Sequence, residues 1–192
     1  GRALIKNEHL YRQGDAFHAV YAVRSGSFKA YSTADDGTEQ VTGFYLPGEI
    51  IGMDGISSMK HCSSAVTLET SSVCEIPFVS LGELSRQLPS LQQRFFQIMG
   101  KEITKDQQML TQLSKNSAEE RVASFLLSVS ARNHHRNLSA TRFRLSMSRA
   151  EIGNYMGLTV ETVSRVFSRL QKQEILGVDN REVEILNMAA LK

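Results

Sequence analysis

Cysteine, tryptophan and long hydrophobic runs are scarce or absent in this sequence. It has two cysteines, Cys62 and Cys74, and no tryptophan among 192 residues. Two cysteines do not make the disulfide framework of a small secreted domain. No apolar run has the length needed to span a bilayer, no signal-peptide pattern is present, and no segment joins a basic face to large apolar anchors. We therefore expect a cytoplasmic protein that has no membrane partner.

The charges that are present are unevenly distributed. Residues 121–172 hold nine Lys/Arg against two acids, a net charge of +7, whereas residues 1–88 hold seven Lys/Arg against ten acids, a net charge of −3. A basic segment beside an acidic one is typical of a protein that contacts nucleic-acid phosphates at one end. The pattern predicts that the C-terminal part binds DNA.

Residues 146–173 have the pattern of a helix-turn-helix. Ser148 can cap a first helix, Gly157 can form the tight turn, and Thr159 can cap a second helix. The apolar face of the second helix consists of Val163, Val166, Phe167 and Leu170. The opposite face carries Glu161, Ser164, Arg165 and Ser168. This arrangement is typical of a helix that reads the DNA major groove, although an ordinary surface helix with a solvated polar face has similar spacing.

The remaining pattern predicts an α+β protein with three parts. Residues 1–88 contain short, evenly spaced apolar runs that are separated by turn signals, which favours a β jelly-roll barrel. Residues 89–115 change to helical periodicity. Residues 116–192 contain a helix capped by Ser117, the helix-turn-helix and a hairpin near its C-terminal end, which together indicate a winged helix-turn-helix.

The central helix has an apolar seam at steps of three and four residues. Its members are Phe96, Met99, Ile103, Leu110 and Leu113, and Asp106 occupies one position of the seam. A helix of this length extends about 40 Å, which is long for a helix docked on a small domain. The seam predicts a coiled-coil homodimer; the alternative is a helix packed on its own domain with Asp106 facing solvent.

Asp106 is an unusual residue for such a seam. Two symmetry-related carboxylates would repel each other, and their burial would add a desolvation cost. Either Asp106 weakens the dimer, so that a small signal can control it, or a cation from Lys101 or Lys105 neutralises it.

Three stretches resemble the CRP/FNR family of bacterial transcription regulators, and most closely its FNR/ANR branch. They are EQVTGFYLPGE at 39–49, LETSSVCEIPF at 68–78 and IGNYMGLTVETVSRVFSR at 152–169. The order of barrel, long helix and winged helix also matches that family over essentially the whole chain. The resemblance implies a non-enzymatic transcription regulator, an activator or repressor.

The resemblance implies a palindromic, TTGAT…ATCAA-like operator. Arg165 can donate to guanine O6 and N7, Glu161 can accept from a cytosine amino group, and Ser164 can contact a thymine methyl group. The predicted set of DNA-contacting residues is Thr159, Val160, Glu161, Ser164, Arg165 and Ser168.

The resemblance also implies how the barrel is used. Cyclic-nucleotide readers carry an Arg-Ser/Thr-Ala cassette, but the corresponding segment here is Ser63-Ser64-Ala65, so a cyclic nucleotide is disfavoured. FNR proteins instead hold an oxygen-sensitive [4Fe–4S] cluster, for which Cys74 matches one of four ligands. The other three are absent from this sequence, which begins at Gly1 and is expected to be a truncated form without a cluster.

In the family scheme the intact cluster favours the dimer, and oxygen loosens it. The family's RNA polymerase contacts correspond to positions around Gly37, Thr70, Ser72 and Ser139.

Two other functions have weaker support in the sequence. One is a regulator of the same fold that senses haem, nitric oxide or a small ligand in the barrel. The other is a cupin-like metalloenzyme, but His9, His18 and His61 lack the His-x-His spacing that such an enzyme needs, and no nucleophile–base arrangement is evident.

Overall fold

A computed structural model describes all 192 residues, and the chain divides into an N-terminal unit, Gly1–Gln107, and a C-terminal unit, Gln108–Lys192. The N-terminal unit contains two antiparallel four-stranded sheets, in the orders β1-β8-β3-β6 and β2-β7-β4-β5. The strands are β1 (Arg2–Leu4), β2 (His9–Tyr11), β3 (Ala19–Ser25), β4 (Phe28–Thr33), β5 (Glu39–Tyr45), β6 (Ile50–Ile51), β7 (Ser64–Thr67) and β8 (Ser71–Pro77).

The predicted barrel strands are confirmed, and their apolar residues form its core. Phe28, Ile51 and Val73 are almost fully buried within one hydrophobic cluster. The turn between β4 and β5 follows from its sequence, because Gly37 has a φ of 83°, a left-handed conformation that glycine adopts without strain. The strand pattern did not predict helix α1 (Phe78–Gln87), which follows β8 directly and buries only Leu81.

Helix α2 spans Pro89–Lys115, the range predicted from periodicity, and none of its 27 residues is fully buried. The two compact units divide within this helix, between Gln107 and Gln108, rather than at its two ends as the predicted domains do. No helix of the structure joins the length and the apolar character that a bilayer crossing needs.

The C-terminal unit follows the predicted winged helix-turn-helix order. Its helices are α3 (Ala118–His135), α4 (Arg149–Met156), α5 (Val160–Lys172) and α6 (Met188–Leu191), and its strands are β9 (Arg142–Arg144), β10 (Leu176–Asp179) and β11 (Glu182–Ile185). The wing is a three-stranded sheet in the order β10-β11-β9, so the predicted hairpin gains a strand from the segment before α4. The three-residue strand β9 buries only Phe143, too short a pattern to identify from sequence.

Candidate nucleic-acid interface

Helix α4 is fixed at both ends by local hydrogen bonds. Ser148 and Glu151 form a capping box, in which the Ser148 N–H donates to the Glu151 carboxylate at 2.7 Å and the Glu151 N–H donates to Ser148 Oγ at 3.2 Å. The helix ends at Gly157, whose φ of 64° is left-handed, as the predicted turn requires. Gly153 was not singled out in the sequence, yet a Cβ there would lie 2.7 Å from the Leu158 carbonyl oxygen. The presence of a glycine inside a short helix is the one feature of the sequence that indicates this close contact between the helix and the turn that follows it.

Helix α5, the reading helix, begins at the predicted cap. Thr159 Oγ1 accepts from the Thr162 N–H at 3.2 Å. The predicted apolar face is buried and consists of Val163, Val166, Phe167 and Leu170. The Arg149 guanidinium lies 3.4 Å from the centroid of the Phe167 ring, and burial lowers the pKa of Arg149. The packed face and this cation–π contact hold the reading helix against its own domain.

The opposite face of α5 is exposed, as predicted. Glu161, Ser164, Arg165 and Ser168 all lie at the surface, and Val160 is 40% exposed at the start of the helix. Thr159, the cap, is exposed as well. One guanidinium nitrogen of Arg165 donates to Thr162 Oγ1 at 3.1 Å, which orients the arginine along the helix surface. This face has the chemistry of a groove reader; contact of each residue with a base stays a prediction.

The predicted charge of +7 overstates the basic character of this unit. Three of the nine Lys/Arg pair with acids outside residues 121–172: Arg142 with Glu184 at 2.9 Å, Arg144 with Glu182 at 3.9 Å and Arg169 with Glu119 at 3.1 Å. Residues 116–192 together hold eleven Lys/Arg and eight acids, a net charge of +3. Strand β9 pairs with β11, and α3 packs near α5, so these acids lie close to the arginines in the fold. A charge count over one window of the sequence does not include them.

Comparison with known proteins identifies this architecture. The model of the Crp-like helix-turn-helix domain matches residues 120–192, and that of the cyclic nucleotide-binding domain matches residues 2–87. The chain is 55% identical to the transcriptional activator protein Anr of Pseudomonas protegens over 187 residues, which are 97% of this chain and 77% of that protein. The chain belongs to the CRP/FNR family, in its FNR/ANR branch. It is therefore a DNA-binding transcription regulator and not an enzyme.

Other members of the CRP/FNR family extend this likeness. The fumarate and nitrate reduction regulatory protein of Vibrio cholerae is 47% identical over 97% of this chain and 74% of that protein. The solved structure of FixK2 from Bradyrhizobium japonicum superimposes with a TM-score of 0.91, at 31% identity, over 99% of this chain and 93% of that chain. The resemblance inferred from the three sequence stretches is thereby confirmed.

A partly open cavity of about 430 Å³ lies between the CRP/FNR-type barrel and α2, and its lining includes Tyr11, Tyr45, Asp54, Glu102 and Asp106. Burial, together with the nearby charges of Glu102 and Asp106, holds the pKa of Tyr45 far above its ordinary value. Lys105 lies 5.0 Å from the centroid of the Tyr45 ring and pairs with Glu102 at 3.5 Å. Lys105 therefore pairs with Glu102 within the chain, and neutralisation of Asp106 by Lys101 or Lys105 stays a prediction.

Asp54 satisfies polar groups at the start of the cassette segment of the barrel. Its Oδ2 accepts from the Cys62 N–H at 3.0 Å, from the Ser63 N–H at 2.9 Å and from the Ser63 hydroxyl at 2.8 Å. Its Oδ1 lies 3.0 Å from His61 Nδ1, and the buried His61 ring stacks on Tyr11 at 3.7 Å. An internal carboxylate thus occupies the hydrogen-bond donors of this loop. The sequence does not indicate this role of Asp54, because its partners lie seven to nine residues away along a loop.

Both cysteines are exposed and form no disulfide. Cys74 lies in β8, opposite Ala22 of β3, so its thiol projects from the sheet surface rather than into the core. Cys62 lies in the loop before β7, and its Sγ donates to the Asp54 carbonyl oxygen at 3.4 Å. A [4Fe–4S] cluster needs four ligands, and no group of three or more Cys, His, Asp or Glu is arranged to hold a metal. The residues present therefore do not fit a complete cluster by themselves.

The predicted seam residues of α2 fall into two groups. Phe96, Ile103 and Leu110 are 61%, 57% and 68% exposed, and Asp106 is exposed as well. Met99 and Leu113 are half-buried against other parts of the chain. Three large apolar side chains, seven residues apart, therefore line one exposed stripe of the helix. This is the arrangement expected of a coiled-coil seam when the second helix is not present.

The positions that the family resemblance assigns to polymerase contact are largely at the surface. Gly37 is at the tip of the turn between β4 and β5, and Thr70 precedes β8; both are exposed. Ser72 is half-buried and its hydroxyl bonds with Ser25 Oγ at 2.7 Å. Ser139 Oγ accepts from the N–H groups of Thr141 and Arg142. The two serines therefore have structural hydrogen bonds of their own, and polymerase contact at all four positions stays a prediction.

Proposed function

We propose that this chain controls genes of anaerobic metabolism in the bacterial cytoplasm, as a homodimer that binds a TTGAT…ATCAA-like palindrome with two copies of α5. The observation that carries the proposal is the division of α5 into a buried apolar face and an exposed face with Glu161, Ser164 and Arg165. Two relatives with the name anaerobic regulatory protein, 48% and 47% identical over 97% of this chain, support the class of target gene.

The exposed side chains of α5 suit the edges of bases in the major groove. Arg165 offers a planar fork for guanine O6 and N7, and the Glu161 carboxylate offers acceptors for a cytosine amino group. Ser164 is small enough to lie against a thymine methyl group. Thr159, Val160 and Ser168 flank these residues and would contact the neighbouring backbone or bases.

The exposed stripe of α2 supports the dimer. Phe96, Ile103 and Leu110 leave more than half of their surface in solvent, a cost that a second copy of the helix would remove. A two-fold dimer places two reading helices on a two-fold operator, which is the usual geometry for a helix-turn-helix protein. Asp106 lies on the same helix and would weaken that contact.

We propose oxygen as the signal, with Cys74 as the one ligand that this sequence contributes to a [4Fe–4S] cluster. The exposed position of the thiol on β8 supports the proposal, because a ligand for an added group must be reachable from outside the sheet. The remaining three ligands are not among the 192 residues.

We further propose that no cyclic nucleotide binds the barrel. The cassette segment lacks its arginine, and the N–H groups of Cys62 and Ser63 at its start already bond to Asp54. A same-fold regulator that senses haem, nitric oxide or a small ligand is the second candidate, because the cavity of about 430 Å³ has room for a small molecule. RNA polymerase is the proposed protein partner, through the surface that includes Gly37 and Thr70.

Footprinting on a TTGAT…ATCAA palindrome tests the DNA proposal. Two protected half-sites, about one helical turn apart, are expected, and a duplex with both half-sites scrambled should show only salt-sensitive, unspecific binding. Equal protection of the two duplexes would refute the proposal. The absorption spectrum of the polypeptide extended by a cysteine-bearing segment, purified without air, separates cluster, haem and empty forms. A Cys74→Ser version of it should lose the cluster absorption.

A further inference from the structure

Arg121 connects three backbone carbonyl groups that belong to three different segments. Its Nη2 donates to the Leu113 carbonyl oxygen at 2.8 Å, its Nε to that of Asn116 at 3.0 Å, and its Nη1 to that of Met156 at 3.1 Å. Leu113 is in the last turn of α2, Asn116 is in the link to α3, and Met156 is the last residue of α4. One guanidinium therefore joins the end of α2 to the end of the first helix of the helix-turn-helix.

The three acceptors are groups that need a partner. The last carbonyl groups of a helix have no N–H donor within the helix, and they carry the negative end of its dipole. The positively charged, rigid and planar guanidinium group of one side chain satisfies two such helix ends at once. The contact between these segments also includes packing, because a Cβ added to Gly157 would lie 3.3 Å from Leu113 Cδ2 and 3.6 Å from Arg121 Nη1.

These contacts join the C-terminal end of the seam to the reading module within the C-terminal unit. Leu113 and Leu110 belong to the same end of α2, and Leu110 is on the exposed seam. Met156 immediately precedes Gly157 and the cap Thr159, from which α5 starts. The direction of α5 is thus tied to the last turn of the helix that would pair with its copy.

We propose that Arg121 is the positioning residue that fixes the reading helix relative to the C-terminal end of α2, and so sets the half-site spacing that the dimer accepts. The inference rests on the proposed binding of a palindrome by a homodimer. Arg121 touches no base in this role; it acts through the backbone of α2 and α4.

The physical reason is the effective concentration of the second reading helix. Once one half-site is bound, binding of the second half-site adds affinity. The size of that addition depends on how narrowly the linkage between the two reading helices restricts the position of the second α5. A rigid linkage gives a large gain at the correct spacing and a small gain at a wrong one. A looser linkage lowers the gain in affinity at the correct spacing and raises the gain at a wrong spacing. It does not change how one α5 binds one half-site.

Arg121→Lys is the discriminating variant. Lysine keeps the charge and most of the stem, but its point-like ammonium cannot reproduce a three-way planar fork. Arg136→Lys is the matched control: Arg136 lies at the C-cap of the same helix, and its Nε donates to the Arg132 carbonyl oxygen, within α3 itself, at 3.3 Å. Sedimentation velocity gives the dimer strength of each protein, and thermal melting gives its stability.

Each protein is titrated with three duplexes: one half-site, the palindrome, and the palindrome with one extra base pair between its half-sites. For Arg121→Lys we expect half-site affinity and dimer strength within about twofold of the parent, and palindrome affinity about tenfold lower. The penalty for the extra base pair should shrink from about tenfold in the parent to about threefold or less. Arg136→Lys should keep the parent's values for all three duplexes.

An unchanged palindrome affinity and spacing penalty in Arg121→Lys would overturn the positioning role. A parallel fall in half-site and palindrome affinity would overturn it too, because that pattern belongs to a residue that only stabilises the reading module or contacts DNA. If the parent itself binds the palindrome no better than the half-site, the proposed dimeric function fails, and the role of Arg121 fails with it.

Discussion

The loop around Asp54 in the barrel and the exposed face of α5 both concentrate polar side chains, but the two clusters use them differently. In the barrel, one carboxylate accepts from two backbone N–H groups and a hydroxyl and lies beside a buried histidine. On α5, Glu161, Ser164 and Ser168 face solvent, and Arg165 is oriented by a single neighbouring threonine.

The difference separates a closed polar network from an open one. A network whose donors and acceptors are matched inside the chain stabilises a loop and leaves little for a ligand to bind. A helix face whose charged groups are exposed, but whose backbone is capped and packed, can exchange water for a partner without reorganising. The contrast agrees with the proposal that no cyclic nucleotide binds the barrel, and with a C-terminal unit that binds DNA.

The largest expected effect is loss of operator binding in Arg165→Ala. If Arg165 forks to a guanine, its removal costs about 1–3 kcal/mol per half-site and weakens the guanine preference at that position. Fluorescence anisotropy with the palindrome and with guanine-substituted duplexes measures both. Stability should not change, because Arg165 is exposed. Arg86→Ala on α1 is the control for loss of one positive charge; equal losses in the two variants would show that Arg165 contributes charge but no base recognition.

Asp54→Ala tests how much the closed polar network around Asp54 stabilises the barrel. The substitution leaves the N–H groups of Cys62 and Ser63 without their acceptor, and we expect a loss of about 2–4 kcal/mol in the free energy of unfolding of the barrel. Urea unfolding followed by tyrosine fluorescence measures it. Asp36→Ala is the matched control, because Asp36 also accepts from a backbone N–H and a hydroxyl, both of Thr38, but at an exposed turn. A similar cost in both variants would contradict the importance of the hydrogen-bond network around Asp54.

The features that the sequence could predict depend on residues that are close together along the chain. Ser117, Ser148 and Thr159 each cap a helix through a residue three positions later, so the signal is contained in a short window. The barrel strands and α2 follow from periodicity over single elements.

The features that sequence could not predict depend on distant partners. Arg121 reaches Met156, 35 residues away, and Asp54 reaches Ser63 across a loop. Glu182 and Glu184 meet their arginines only because β9 pairs with β11, and this pairing reduces the basic charge that a linear count assigned to the DNA-binding side. Residue type suggested what each group could do, but only the fold determines which groups are already engaged.

Asp106→Ala tests whether the exposed stripe of α2 is a weakened seam. Removal of two facing carboxylates should tighten the dimer about threefold to tenfold, and the gain should shrink at high salt, because ions screen exposed charges. Sedimentation velocity over a dilution series at two salt concentrations measures the dissociation constant. Asp35→Ala, at an exposed barrel turn, should leave it unchanged. An unchanged dimer in Asp106→Ala would indicate that the carboxylate faces solvent or the cavity rather than its copy.

The smallest expected effect concerns the cap of α3, where Ser117 and Glu120 bond to each other at the surface. The Ser117 N–H donates to the Glu120 carboxylate, and this hydrogen bond lowers the pKa of Glu120 from its ordinary value of 4.5. A lowered pKa in the folded state means that the group adds stability above pH 4.5 and loses it as the pH falls through the folded-state value. Glu120→Gln keeps a side-chain acceptor but cannot titrate, so the parent should lose more stability than this variant between pH 7 and the acid range. Urea midpoints of both proteins across that range measure the difference, and parallel profiles would mean that the capping box adds no acid-sensitive stability despite its geometry.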